Sequence, residues 1–393
     1  MPVKKSSIVG LSPPPLKSDR DANIMELASR IGKLGNDVTV FVSDAYQPLE
    51  CKATPDDGFR VKYLNTEFKT IFPPAYLPFT PELADEIGNG RFDVIQSAEF
   101  FQWGTILASR AASENGVPFL VWQEMDINPQ FPGGILQATY NLTYGRFVSK
   151  RVTSFVPRST SAKKYLLDLN IRTEDISPVI HTGVDTRAFY PLEDPGLKDK
   201  LGFPPDAPLI LSVGRLHPNK GFDILIRTIA QVKRRIHDIS LIVKGDGPQK
   251  EELEDLVNGL HLERNVKIVT EHFSKKEMNE LYGASDFTAI ASRVDLFPFS
   301  AIESLACGKP VVSIFGRAVE LDVIGNHGTG IYIPDQSMEG LADAIVYLVR
   351  NPQIRREMGR KAHRLCQIEF DLNIVSQRFH DLYAKFTHMG CSA

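Results

Sequence analysis

The sequence predicts an α/β protein built of two doubly wound domains, and three observations lead there. Short apolar runs of strand length alternate with segments of helical periodicity, the pattern of parallel sheets covered by helices on both faces. The alternation restarts after HTGVDTRAFYPLEDP, residues 181–195, which marks a boundary. At 393 residues the chain also exceeds what one ordinary core holds. The expected division is residues 1–186 and residues 187–370, facing a central cleft where such sheets bind ligands at their strand carboxyl ends.

In the first half, SIVGL at residues 7–11 reads as a strand, and the SPPPLKSDRD that follows it cannot be helical. Ile24, Leu27, Ala28, Ile31 and Leu34 fall on one helical face, Gly35 ends that helix, and VTVFV at 38–42 is the second strand. Further strands are expected at RVKYL (60–64), DVIQ (93–96), PFLVW (118–122), SFV (154–156) and PVIH (178–181), with helices between most of them. The proline- and aromatic-rich FKTIFPPAYLPFTP, 68–81, reads as an irregular loop.

In the second half LILSV (209–213) is a strand, followed by GRLHPNKGFD and a helix over 222–235. SLIVK (240–244) leads through GDGP into a helix from Gln249, and VKIV (266–269) leads to a helix around Leu281. FTAIA (287–291) is a buried strand that runs into SRVDLFPFSAIESLACGKP, residues 292–310. A helix is expected to start near Phe299 or Ser300, with Glu303 about one turn inside it and Gly308 closing it. VVSIF (311–315) is a strand, and helices over 341–350, 354–366 and 372–386 finish the chain.

Composition narrows the function classes. A hydrophobic content of 42% and a formal net charge of −3 describe an ordinary water-soluble protein. Neither sign of charge dominates, which argues against a nucleic-acid partner and lends no support to a peripheral membrane contact driven by charge. The four cysteines (Cys51, Cys307, Cys366, Cys391) are scattered without metal-ligand spacing and read as reduced thiols of a cytoplasmic protein. The N-terminus has only a short apolar run before three prolines, unlike a signal peptide, and no apolar stretch approaches the roughly 20 residues that span a bilayer. The sequon at 141–143 is discounted on the same grounds.

The residues that carry chemistry lie at strand ends. Eight positions separate Asp295 from Glu303, and between these carboxylates the unpaired amides of a helix N-terminus make a site for an anion such as a diphosphate. A ligand with hydroxyls on both sides of its phosphates, a nucleotide-sugar, suits that arrangement. In GRLHPNKG, after Gly214, Arg215 and Lys220 could reach one phosphate pair, the first as a bidentate fork and the second as a point charge; two solvated surface cations are the plainer reading. Gly245 and Asp246 open a tight turn where backbone could approach a base or ribose. The glycines form neither a dinucleotide fingerprint nor a P-loop.

Taken together and in order, GRL…KG, GDGP, and an acidic residue followed eight positions on by Glu before CGKPVV resemble the donor half of the retaining GT-B glycosyltransferases of family four. The resemblance is specific over 179–386 and looser, though alike in organisation, before that. It implies two Rossmann-like domains, with the last helix, within 371–393, crossing back to the N-terminal one. It also implies a nucleotide-sugar donor, a sugar, lipid or polymer acceptor, no cofactor and no metal. Arg215 and Lys220 would hold the donor diphosphate, Asp295 the hydroxyls of the transferred sugar, and Glu303 those of the ribose. Backbone amides over Leu296, Phe297, Pro298 and Phe299 would meet the sugar and β-phosphate. The acceptor would attack the face the diphosphate leaves, so the anomeric configuration is retained without a protein nucleophile. Asp19-Arg20-Asp21 imitates the metal-binding triplet of other glycosyltransferases, but it follows a proline loop in the wrong domain.

Three positions depart from the family pattern. Asp295 stands where most members carry Glu. The first loop has no glycine, and Lys17 or Arg20 are candidates to supply the contacts that glycines usually permit. VWQEMD (121–126) places Glu124 where a His usually faces the donor sugar; it is expected to bond sugar hydroxyls or steer an acceptor, with a mere surface carboxylate as the other reading. Phe100, Phe101, Trp103 and Trp122 read as core, or as a platform for a sugar; His181 reads as structural. The expected protein is a hexosyltransferase. A non-catalytic nucleotide-sugar-binding subunit or sensor, and a GT-B epimerase or phosphorylase, are the alternatives.

Overall fold

The structure is a computed structural model that describes residues 4–9, 23–44, 58–67, 79–126, 133–193, 196–293, 297–314, 319–334 and 337–389. The chain divides into two compact units, Met1–Gly183 with Leu372–Ala393, and Val184–Asp371.

The first unit opens with β1 (Lys4–Val9), α1 (Asn23–Lys33), β2 (Asn36–Ser43) and β3 (Phe59–Leu64). It continues through α2 (Glu82–Gly90), β4 (Val94–Ala98), α3 (Trp103–Glu114) and β5 (Phe119–Gln123). The helices α4 (Gly133–Leu142) and α5 (Tyr144–Ser149) precede β6 (Ser154–Pro157) and α6 (Thr160–Asp168). All the pairings are parallel and the strand order is β3-β2-β1-β4-β5-β6, a doubly wound sheet whose direction of winding reverses between β1 and β4. Its central strands are buried on both faces, as a parallel sheet requires. Leu27, Ala28 and Ile31 of α1 cover one face, and Leu83, Ile87, Ala108 and Ala111 of α2 and α3 cover the other.

One helix of this unit comes from the far end of the sequence. It runs from Leu372 to Met389 and buries Val375, Phe379 and Tyr383 beside α1. The Phe379 ring meets Trp122 edge-on at 5.0 Å, and Tyr383 Oη donates to Gln96 Oε1 at 2.9 Å. The C-terminal segment therefore belongs to the N-terminal sheet, as the resemblance implies.

The second unit repeats the plan. After α7 (Leu197–Lys200) come β7 (Leu209–Val213), α8 (Phe222–Lys233), β8 (Ser240–Lys244), α9 (Lys250–Gly259) and β9 (Val266–Val269). Next are α10 (Lys275–Ala284), β10 (Phe287–Ile290), α11 (Phe299–Ala306), β11 (Val311–Ser313) and β12 (Gly330–Tyr332). Helices α12 (Met338–Arg350) and α13 (Pro352–Leu365) close the unit, and the helix over 372–389 is α14. The order β12-β11-β10-β7-β8-β9 is again parallel throughout, with its reversal between β7 and β10.

Three readings of the sequence are corrected. PVIH is not a strand: only Ile176 bridges to Phe155, and Pro178 has no N–H to continue a ladder. The extended chain still leans on β6, through Ser177 N to Phe155 O at 2.8 Å and Ile180 N to Pro157 O at 3.0 Å. The edge strand β12 and the wide helical turn Val319–Ile324 before it were not expected. Helix α12 starts at Met338 rather than residue 341, because Ser337 Oγ caps Gly340 N at 2.9 Å. Most of the loop read over 68–81 lies outside the described residues, as do Cys51 and Cys391. Cys307 and Cys366 are free and buried, and burial pushes both thiols up, away from the reactive thiolate. Among the described residues no helix is long and apolar enough to cross a membrane.

Phe379 supplies the test of the α14 packing. Phe379→Ala should destabilise the first unit by about 3–5 kcal/mol, as a large buried ring lost from a packed core does, read as a lowered urea midpoint at unchanged slope.

Candidate functional site

In the second unit three loops meet at the carboxyl ends of β7, β8 and β10, where the winding reverses. The first two are zipped by backbone: Gly214 N donates to Lys244 O at 3.0 Å, Leu216 N to Asp246 O at 2.9 Å and Gln249 N to Leu216 O at 3.0 Å. A Cβ on Gly245 would lie 1.8 Å from Gly214 O, so no side chain fits there. The third loop is joined through Gly221, where a φ of +64° and a position at which a Cβ would stand 1.9 Å from Ala291 O both demand glycine. Arg293 clamps the same junction, donating to both oxygens of Asp223 at 2.8 and 2.7 Å and to Pro218 O at 2.7 Å. Bonding to Arg293 holds the Asp223 carboxyl below its ordinary range.

This junction carries the cations picked out in the sequence. Arg215 is exposed and, among the described residues, makes no ion pair. The Lys220 stem lies over Gly214, its Cδ 3.5 Å from where a Cβ would stand. Asp246 is exposed and turns its own loop, accepting from Gly247 N at 2.8 Å.

Helix α11 follows β10, and Pro298 at its N-terminus offers no side-chain cap. Of the expected amide donors, Pro298 has no N–H, which leaves Phe297 and Phe299 among the described residues; Leu296 lies outside them. Phe297 is buried and its ring sits 5.8 Å from Phe370, fixing the entry to the helix. Glu303 is 5% exposed, at the fifth residue of α11, about one turn inside it as expected. The Tyr282 hydroxyl donates to Glu303 Oε2 at 2.7 Å. Asp295 and Arg20 lie outside the described residues. Among the described residues no group of histidine, cysteine and carboxylate side chains could hold a metal ion.

In the first unit Glu124 follows β5 and is half-buried, with Arg158 Nη1 donating to its Oε2 at 2.7 Å. Arg158 is itself set by three contacts. Its Nε donates to Thr182 Oγ1 at 3.1 Å, its guanidinium lies 4.1 Å from the Trp122 ring centre, and its carbonyl accepts from His181 Nδ1 at 2.9 Å. Glu124 is thus part of a built network, and His181 has a structural role. Phe100 and Trp122 are 4% and 3% exposed and belong to the core, so they offer no platform for a sugar.

Sequence reading missed Glu99, which ends β4 with φ +64°. Its carboxylate accepts from Glu124 N at 2.8 Å, Met125 N at 3.2 Å and Gln123 Nε2 at 2.9 Å. Burial, with the Glu124 charge second, pushes its carboxyl up to about 7. In sequence it is one acidic residue after an apolar run; neither its backbone conformation nor its partners, 24 to 26 positions away, leave a local signal.

Doubly wound sheets of this order in both units make up the GT-B architecture. Sucrose-phosphate synthase from Thermosynechococcus elongatus superposes with a TM-score of 0.78 over 99% of this chain and 100% of that one, at 18% identity. Anabaena HepE, solved in complex with UDP, gives 0.78 over 98% and 100%, also at 18% identity. The chain belongs to the family-four glycosyltransferases: residues 23–188 match the Glycosyltransferase Family 4 model and residues 194–365 the Glycosyl transferases group 1 model. The D-inositol 3-phosphate glycosyltransferase of Kineococcus radiotolerans is 31% identical over 54% of this chain and 52% of its own length. Its Frankia alni counterpart is 26% identical over 86% and 88%. The chain spans about half the length of the first relatives it matches.

Two predictions test this geometry. Gly221→Ala should destabilise the second unit by roughly 2–5 kcal/mol, the sum of a left-handed alanine and an overpacked contact, read as a fall in its thermal midpoint. The Glu99 carboxyl is raised on folding, so the folded state holds the extra proton. Stability it contributes is present below the ordinary carboxylate range and is lost as pH rises to about 7. Urea titrations of wild type against Glu99→Gln across that window should show the downward slope in the wild type alone.

Proposed function

We propose that the protein is a retaining glycosyltransferase that moves a hexose-type sugar from a nucleotide-sugar to an acceptor hydroxyl without a metal. The observation that carries the reading is the glycine-zipped junction of the second unit, which presents Arg215 and Lys220 at the reversal point of a parallel sheet. Two cations of different reach suit a diphosphate, and the N-terminus of α11, which Pro298 does not cap, adds donors of the same polarity. Family membership supports assigning the transferred sugar's hydroxyls to Asp295 and the ribose to Glu303, with Gly214, Gly245 and Asp246 lining the nucleotide. The complex of HepE with UDP supports a nucleotide-sugar as donor.

In this reading Arg215, Lys220 and the amides of Phe297 and Phe299 stabilise charge that develops on the leaving diphosphate. The acceptor oxygen bonds to the anomeric carbon on the face from which the diphosphate departs. Its proton passes to a phosphate oxygen, and the glycosidic configuration is kept. Glu124 is the first unit's group for orienting an acceptor hydroxyl.

The experiment is release of free nucleotide from a panel of sugar-nucleotides with an acceptor panel. Lys220→Ala and Asp295→Ala should each lower turnover roughly 100-fold or more, the scale of losing one preorganised charge-stabilising group. Near-normal rates in either variant overturn the assignments. Saturable nucleotide-sugar binding with no turnover on any acceptor would instead favour a binding subunit.

A further inference from the structure

Past Gln123 the chain leaves β5, and the amides of Glu124 and Met125 have no strand to pair with. Part-buried amides still need an acceptor, and here it is a side chain. The β4–β5 ladder extends one bond further, Glu99 N to Trp122 O at 3.1 Å, and then the left-handed turn at Glu99 swings β4 away. A non-glycine residue in that region is strained unless its surroundings hold it. They do: Thr105 Oγ1 donates to Glu99 O at 2.6 Å, Phe100 N to Gln123 Oε1 at 2.9 Å, and Tyr140 Oη to Phe100 O at 2.8 Å. The turn aims the carboxylate at the carboxyl end of β5, where donors from three consecutive residues converge on it.

We propose that Glu99 is a positioning residue: it holds residues 123–125 in one conformation and thereby sets the direction of Glu124. The role rests on the reading of Glu124 given above. Two partners locate Glu124 from opposite ends, Glu99 at its backbone N–H and Arg158 at its carboxylate. A neutral residue at 99 could serve two amides less well, because a carboxylate presents two oxygens and both are engaged. The charged groups facing Glu99 are Glu124 and Arg158, and the Tyr165 phenol feels its charge. Rising pH deprotonates Glu99 and strengthens its hold on the two amides.

The test pairs amide exchange with a mutant cycle. In Glu99→Gly the backbone keeps its left-handed turn at no steric penalty, so the fold survives while the carboxylate is lost. Exchange at Glu124 and Met125 should accelerate roughly tenfold or more, with Glu99→Gln between it and wild type, because hydrogen bonds to a charged group are among the stronger ones. Turnover in Glu99→Gly should fall as far as in Glu124→Gln, and the double variant should be no worse than either. Unchanged exchange, or additive losses of turnover, overturns the proposal. Should the wild type show no turnover, the transferase reading fails, while the exchange data still decide whether Glu99 holds the loop.

Discussion

The second unit depends on backbone approaching backbone with nothing between. At Gly245 a Cβ would stand 1.8 Å from Gly214 O, at Gly247 2.5 Å from Leu216 O, and at Gly221 1.9 Å from Ala291 O. The first two lie beside the backbone bonds Gly214 N to Lys244 O and Gln249 N to Leu216 O, and the third lets the chain at Gly221 lie against Ala291 O, where a side chain would hold them apart. The strands carry the loops to within hydrogen-bonding range, and the missing side chains allow the final contact. From there the placing of Lys220 over Gly214, the outward position of Arg215 and the Arg293–Asp223 clamp all follow. The clamp is bidentate but partly exposed, so its worth is geometric more than energetic.

The two units share a strand order and use it for opposite chemistry. At its reversal point the second unit sets glycines and cations, together with a helix N-terminus that favours negative charge. Beside its own reversal the first unit sets carboxylates, Glu99 just after β4 and Glu124 after the neighbouring β5. One suits phosphate and the other suits hydroxyl donors. The shared topology fixes where each group stands, and the residues at the strand ends decide what it binds.

Much of this was legible in the sequence because the signals are local. Alternating apolar runs show both sheets, and Gly221, Gly245 and Gly247 stand in short motifs next to strands that announce themselves. The boundary of α11 was visible too, since Pro298 and Gly308 punctuate it. What stayed hidden depends on distant partners. Glu303 reads as a carboxylate about one turn inside α11, and so it is, but its bond to the Tyr282 hydroxyl 21 positions away leaves no local signal. Glu99 has no motif, and its conformation exists only because Thr105, Gln123 and Met125 converge on it. PVIH has the composition of a strand, and one proline turns it into an extended edge that merely leans on β6.

The carboxylates of the first unit also explain why Arg158 is embedded so firmly. Two carboxyl groups held together, as Glu99 and Glu124 are by the bond from Glu124 N to Glu99, would repel each other if both were ionised and nothing intervened. Arg158 faces Glu124 directly and acts on Glu99 at longer range, where it offsets only part of the burial that raises Glu99. A lysine could place a charge there, but it could not reach Glu124 and Thr182 at once while lying flat on Trp122. The planar fork locks one carboxylate and leaves the other to titrate near neutrality. What reads in sequence as the loss of a family histidine is, in the fold, a carboxylate with its own positioned cation and a second carboxylate behind it.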